Sequence, residues 1–243
     1  MAEDAPSTAV ARQRLEAPGI AILVATFFGP FVEGALLFAC AGTMALPRAW
    51  FFVAISVVAL FGQAALLAVN NPELLNHRGR WKKKKDAKRW DKPLVMSYGL
   101  LAFYAEPIVI GLDVGRYGWT QLGLWWTVAG TILFAFGTFV ITWAMLVNTH
   151  FETIVRIQTD RNHQVTTSGP YTVVRHPGYV GASLWALAAP LIVGSVVGLI
   201  PAALATGVLV VRTSLEDRTL QRELPGYADY AHHTPYRLLP GLW

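Results

Sequence analysis

The chain has 243 residues, 54% of them hydrophobic and only 14% charged, with a formal net charge of +5. Soluble domains carry about 25% charged residues, so this deficit argues against a soluble domain. It points instead to a polytopic membrane protein, in which long uncharged runs alternate with short charged ones. A single cysteine, Cys40, rules out an internal disulfide, and no Cys/His group has zinc spacing.

Residues 1–18 are polar and of mixed charge, and are expected to form an N-terminal cytoplasmic segment. The apolar run that follows, about 19–46, exceeds the 7–15 residues of a signal h-region and reads as a retained first span. It carries one acid, Glu33, near its middle. A second span is expected at about 50–70, after a tight turn containing Pro47. Residues 71–92 hold nine basic residues against the acids Glu73, Asp86 and Asp91. A short loop this basic belongs on the cytoplasmic side and attracts anionic headgroups. Topology accounts for the lysine run, so nucleic-acid binding is not inferred.

A third span is expected at about 93–112, kinked at Glu106-Pro107 because proline removes a donor and crowds the preceding turn. A short polar loop is expected at 113–121 and a fourth span at about 122–148. Residues 180–211 carry no charge. As one helix they would extend about 48 Å at 1.5 Å per residue, well beyond a hydrocarbon core of about 30 Å. With Gly194, Ser195 and Pro201 in the middle, they read as a hairpin turning at about 194–198. The expected fold is therefore an all-α bundle of about six transmembrane helices. Its divisions are 1–18, three spans over 19–112, and a catalytic core over 113–243. That core comprises span four, a loop at 150–179, the hairpin and the tail from 212.

The hairpin has a chemical consequence. It brings His163, Tyr171, Arg175, His176 and Tyr179, which precede it, to the same mouth as Arg212, Glu216 and Asp217, which follow it. Arg212 and Glu216 are four apart and share a helix face. They read either as a local ion pair or as a binding pair, the acid for a ligand ammonium and the arginine for a carboxylate or phosphate. Gly169-Pro170 and Pro177-Gly178 are turn dipeptides that fold the intervening loop compactly.

The string H-x-V-x-x-x-G-x-Y-x-x-x-R-H-P-x-Y-x-G at 163–181 is followed by R-T-x-x-E-D-x-x-L from Arg212 and by G-Y-x-x-Y near the end. Together these resemble the isoprenylcysteine carboxyl methyltransferase and phospholipid methyltransferase superfamily. The resemblance covers about 148–243. It implies an integral membrane enzyme that uses S-adenosylmethionine. It further implies that His163, Gln164, Val165, Thr166, Gly169, Tyr171, Arg175, His176, Pro177, Gly178 and Tyr179 line the cofactor. Glu216 would bind the cofactor from the last helix, and Arg212 would engage a substrate carboxylate, these two being the catalytic residues. A cofactor-contacting glutamine of the family falls at Arg156 here, with Gln158 two residues on. The implied substrates are lipophilic: a prenylated cysteine, a phospholipid amine or a small thiol. Both termini and the active site would face the cytoplasm. The R-H-P-x-Y-x-G string is also similar to membrane sterol reductases that use NADPH. A non-enzymatic lipid binder built on the lysine loop is the third reading. Oligomeric state is not legible in the sequence.

Overall fold

The computed structural model describes residues 14–243, so most of the expected N-terminal segment, residues 1–13, lies outside the described residues. Among the described residues the secondary structure is helical, without strands. Five helices among the described residues are long and apolar enough to cross a membrane. Their outer surfaces expose large apolar side chains such as Phe28, Val58, Phe61, Ile132 and Trp125. On a soluble protein so extensive an apolar surface would be a liability, whereas lipid covers it at no cost. The chain is a polytopic helical bundle, as its hydropathy pattern predicts.

Helix α1 (Ala17–Ala41) ends at Gly42, whose left-handed conformation (φ 68°) lets its N–H reach the Phe38 carbonyl. A five-residue turn leads to α2 (Pro47–Asn70), with proline at the helix start where a missing donor costs nothing. The basic segment then folds more than its charge suggests. Asn71 caps α3 (Pro72–Gly79), its side chain accepting from the Leu74 N–H. The Asn71 side-chain amide also donates to the Met145 carbonyl at 3.2 Å. Helix α3 lies against the start of α1, where a Cβ on Gly79 would sit 2.0 Å from the Pro18 carbonyl oxygen. Residues 71–92 are thus a docked element rather than a solvated loop.

The third membrane helix runs from Asp91 to Tyr117. It is built from α4 (Asp91–Leu100), a π-helical turn (Leu101–Ala105), α5 (Glu106–Gly111) and a second π turn (Leu112–Tyr117). The first π turn shifts the register so that the Glu106 N–H reaches the Leu101 carbonyl just before Pro107. The proline is thereby seated at the start of a new helical register, where its missing N–H is harmless. The polar loop expected at 113–121 is corrected accordingly: the helix persists to Tyr117, and Gly118 (φ 61°) ends it.

Helices α6 (Leu124–Val147) and α7 (Pro177–Val193) pack closely against each other. Gly130 and Gly137 on α6 and Gly181 on α7 make this possible. A Cβ on Gly181 would meet the Gly137 carbonyl at 2.7 Å, and one on Gly137 would meet the Gly181 carbonyl at 2.9 Å. Small residues let membrane helices approach in this way. Helix α7 has 17 residues, about 26 Å, slightly less than the hydrocarbon thickness.

The hairpin turns where expected. Gly194 (φ 105°) ends α7, and α8 (Leu199–Glu223) returns. The turn is pinned by the fully buried Asp113, which accepts from the Ser195 hydroxyl at 2.5 Å, the Val197 N–H at 3.3 Å and the Thr120 N–H at 2.8 Å. Arg48 donates to the Ile192 and Leu191 carbonyls, satisfying the free carbonyl end of α7. With the turn fixed, the loop before α7 and the last turns of α8 share the opposite end of the bundle. A short helix, α9 (Tyr227–His233), and the tail close over that end.

Candidate active site

The R-H-P segment is held by one carboxylate. Asp217, with a fully buried side chain, accepts from Arg175 Nε at 2.7 Å and Nη2 at 3.0 Å. It also accepts from Arg237 Nε at 2.8 Å, Gln221 Nε2 at 2.7 Å and the Tyr227 hydroxyl at 3.1 Å. His176 Nε2 lies 3.3 Å from the same carboxylate. Arg175 spends its remaining donor, Nη1, on the Thr234 and Pro235 carbonyls, both at 2.8 Å. The backbone N–H groups of Arg175 and His176 donate to the Tyr236 and Arg237 carbonyls. Arg175 and His176, named by the sequence as cofactor-lining residues, therefore tie the loop to α8 and the tail. Burial opposes the Arg175 charge, but the Asp217 hydrogen bonds outweigh it and raise its pKa.

Tyr179 is the third residue of α7, in the same first turn as Pro177 and Gly178. Gly178 admits the Phe151 ring, which stands 2.2 Å from where a Cβ would be. The Tyr179 hydroxyl donates to Glu216, its ring stacks on His176 at 5.8 Å and 9°, and the Arg212 guanidinium lies 5.1 Å over its face. The expected convergence of Tyr179, Arg212 and Glu216 is thus realised. Glu216 is half-buried, and only one of its oxygens takes the tyrosine bond.

The Arg212–Glu216 ion pair offered as one reading of the four-residue spacing does not form. Arg212 pairs with Asp91 at the start of α4, by Nε at 2.7 Å and Nη2 at 3.2 Å, and donates Nη2 to the Thr153 carbonyl at 2.7 Å. Geometry explains the choice: Asp91 is fully buried and accepts in two places, whereas Glu216 is drawn to the tyrosine.

Upstream, the loop is a nested set of ion pairs. Arg156, nearly buried, donates to Glu152, Asp160 and Asp86. Burial opposes its charge, and these three carboxylates more than restore it. Gln158 donates to the His150 carbonyl at 2.7 Å and accepts from Arg161. His163 packs its ring 4.6 Å from that of His150, and its Nδ1 accepts from the Gln158 N–H. Burial pushes His163 down to about 4, so it is neutral at pH 7. Residues 163–166 follow an irregular course.

Gln164 is exposed, while Val165 packs with Tyr171 and Tyr227. Thr166 is half-buried. Gly169 adopts φ 61°, a conformation favouring glycine, with the Trp143 indole 2.9 Å from where a Cβ would be. The Tyr171 hydroxyl accepts from Asn148, and its carbonyl accepts from Tyr230. Among the described residues, the N–H groups of 164–168 donate to no backbone carbonyl. No group of three or more His, Cys, Asp or Glu placed to hold a metal ion occurs among the described residues.

One residue that organises this end, Asp91, is not singled out by motif reading, because it lies in a basic run and reads as a counter-charge. Asp217 falls within the motif, but its part as the anchor of the tail is not legible there.

The sequence profile of the phospholipid methyltransferase family matches residues 125–225, which include both the 163–181 string and the 212–217 pair. Protein-S-isoprenylcysteine O-methyltransferase of Xenopus laevis is 38% identical over 64 residues, 26% of this chain and 22% of that protein. The aligned stretch thus spans about a fifth of the relative's length. Both findings support a likeness of this chain to the integral membrane methyltransferase superfamily.

Proposed function

We propose that the chain is an S-adenosylmethionine-dependent membrane methyltransferase acting on a lipophilic substrate at the cytoplasmic face. The observation that carries this reading is the meeting of Tyr179, Arg212 and Glu216 beside the R-H-P loop, at one end of the bundle and within the matched segment.

The residues present fit the cofactor. It carries an ammonium, a carboxylate and a nucleoside. Glu216 offers a carboxylate oxygen not used by Tyr179, and residues 164–168 offer backbone N–H groups. His176 and Tyr179 offer stacked rings. When bound, the cofactor supplies an electrophilic methyl group. The chain's own residues bind and align. Arg212 is fixed by Asp91 and keeps Nη1 outside those bonds, so it presents one donor to a substrate carboxylate. A carboxylate nucleophile is ionised at neutral pH and needs no base. For an amine or thiol nucleophile, Glu216 is the nearest base in this reading, and neutral His163 is the second. The substrate class drawn from the relative is a prenylated cysteine carboxylate, with a phospholipid amine as the alternative drawn from the family.

Membranes containing the protein are incubated with methyl-labelled S-adenosylmethionine and the labelled species identified. Label in a lipid-soluble product, lost in Glu216→Ala, is expected. Absence of label above that of empty membranes, with thermal protection by NADPH instead, overturns the reading in favour of a reductase.

A further inference from the structure

We propose that Asp91 is a positioning residue for the reaction, through which the N-terminal half of the chain sets the geometry of the site. The inference rests on the methyltransferase reading above and concerns a residue outside the matched segment 125–225.

The carboxylate is fully buried at the first turn of α4 and holds two elements at once. Oδ1 accepts from Arg212 Nε at 2.7 Å, and Oδ2 accepts from Arg212 Nη2 at 3.2 Å. Oδ2 also accepts from the Val155 N–H at 2.6 Å. The Val155 carbonyl in turn accepts from the Lys88 N–H at 3.0 Å, so residues 88–91 grip Val155 from both sides of its peptide. The Thr153 carbonyl completes the triangle by accepting from Arg212 Nη2 at 2.7 Å. Lys88 Nζ reaches Glu223 at the end of α8 at 2.6 Å.

The consequence for the site is steric and electrostatic. Asp91 occupies two of the faces by which Arg212 could take a carboxylate, which fixes the guanidinium plane over Tyr179 and leaves Nη1 as the remaining donor. It also neutralises the arginine charge locally, so Glu216 is not drawn into a pair with Arg212 and stays with the Tyr179 hydroxyl. A buried ion pair held only for stability could be replaced as a whole by apolar packing at little cost, whereas removing the carboxylate alone leaves Arg212 buried and unpaired. A carboxylate that orients a guanidinium beside Tyr179 and Glu216 must retain both its charge and its shape.

The test uses the full chain in lipid nanodiscs, comparing Asp91→Asn, Asp91→Glu and Asp229→Asn. Asp229 is exposed on α9 and serves as the control. Hydrogen bonds to a charged group contribute about 1.5–3 kcal/mol each. Asp91→Asn is therefore expected to lower kcat/KM for the labelled lipid product by about 10- to 100-fold. S-adenosylhomocysteine affinity is expected to change by less than about threefold, because Arg212 addresses the substrate. Amide exchange at 153–156 should quicken by about tenfold or more. Asp91→Glu should recover part of the rate, and Asp229→Asn should match the parent. Wild-type turnover and wild-type exchange in Asp91→Asn overturn the role of Asp91. So does a rate loss that merely follows a reduced binding stoichiometry, which marks a folding defect. Failure of the unmutated chain to bind S-adenosylhomocysteine defeats the underlying methyltransferase reading instead. The exchange measurement needs no ligand and still decides whether Asp91 fixes the loop.

Discussion

Replacing Asp217 with asparagine separates the residue that builds the site from the one that works in it. Asp217 takes donors from Arg175, Arg237, Gln221, Tyr227 and His176 in a fully buried position. The asparagine keeps the shape, removes the charge, and turns an NH2 group toward guanidinium donors. Breaking one side of a buried ion pair costs about 3–5 kcal/mol. Arg237 is 29% exposed, so water relieves part of its loss. Arg175 is 5% exposed, and only its Nη1 is otherwise engaged, by tail carbonyls. A chain of this size loses about 2–4 °C per kcal/mol, giving a fall of about 6–20 °C. Thermal unfolding in detergent, followed by tryptophan fluorescence, measures it, with proteolysis of the tail beyond residue 226 as a local readout. Glu216→Gln is half-buried and carries one tyrosine bond, and should shift the midpoint by only a few degrees. A shift below about 2 °C for Asp217→Asn, with an equally protected tail, refutes the claim that this carboxylate holds the tail and the R-H-P loop together.

The α6–α7 contact depends on hydrogen side chains at the crossing. Gly181→Ala places a methyl group 2.7 Å from the Gly137 carbonyl, and overpacking of this kind costs about 1–3 kcal/mol. Gly207→Ala, which meets nothing within 4 Å, should leave the unfolding midpoint unchanged. The loop should also weaken in acid. Burial holds His163 at about 4 against an ordinary 6.5, so the unfolded loop binds more protons between those values and stability rises with pH across the window. Its contribution is full above about pH 6.5 and is lost on descending toward 4. Amide exchange at 158–166 between pH 4 and 7, corrected for intrinsic rates, should show the loss, and His163→Gln should reduce its pH dependence, leaving the share that His150 contributes. Tyr179→Phe removes the hydroxyl from Glu216 and should lower S-adenosylhomocysteine affinity by about tenfold, from one hydrogen bond to a charged group.

The bundle was legible because hydropathy in a membrane protein is a length measurement. The uncharged run at 180–211 is too long for one span, and Gly194 and Pro201 mark its fold. The convergence of Tyr179, Arg212 and Glu216 followed from that hairpin alone. The partner of Arg212 did not. Sequence proximity favoured Glu216, four residues away, while the actual partner is 121 positions away at the start of α4. Charge counting was misleading in the same region. Residues 71–92 read as a basic loop only partly offset by its three acids, yet Lys84, Lys88 and Asp91 make specific contacts with Glu152, Glu223 and Arg212. The helix boundaries near Pro107 and Asp113 escaped as well. A π turn can absorb a proline without breaking the helix, and Asp113 is buried as an acceptor for the hairpin turn rather than exposed in a loop.

Binding of S-adenosylhomocysteine to the intact protein, measured by titration calorimetry in detergent, decides whether this end of the bundle is a methyl-donor site. A saturable isotherm near one ligand per chain is expected, which Glu216→Ala weakens by at least about tenfold and NADPH does not compete away. An intact, folded protein that binds no S-adenosylhomocysteine, or that binds it equally well without the Glu216 carboxylate, contradicts the methyl-donor assignment.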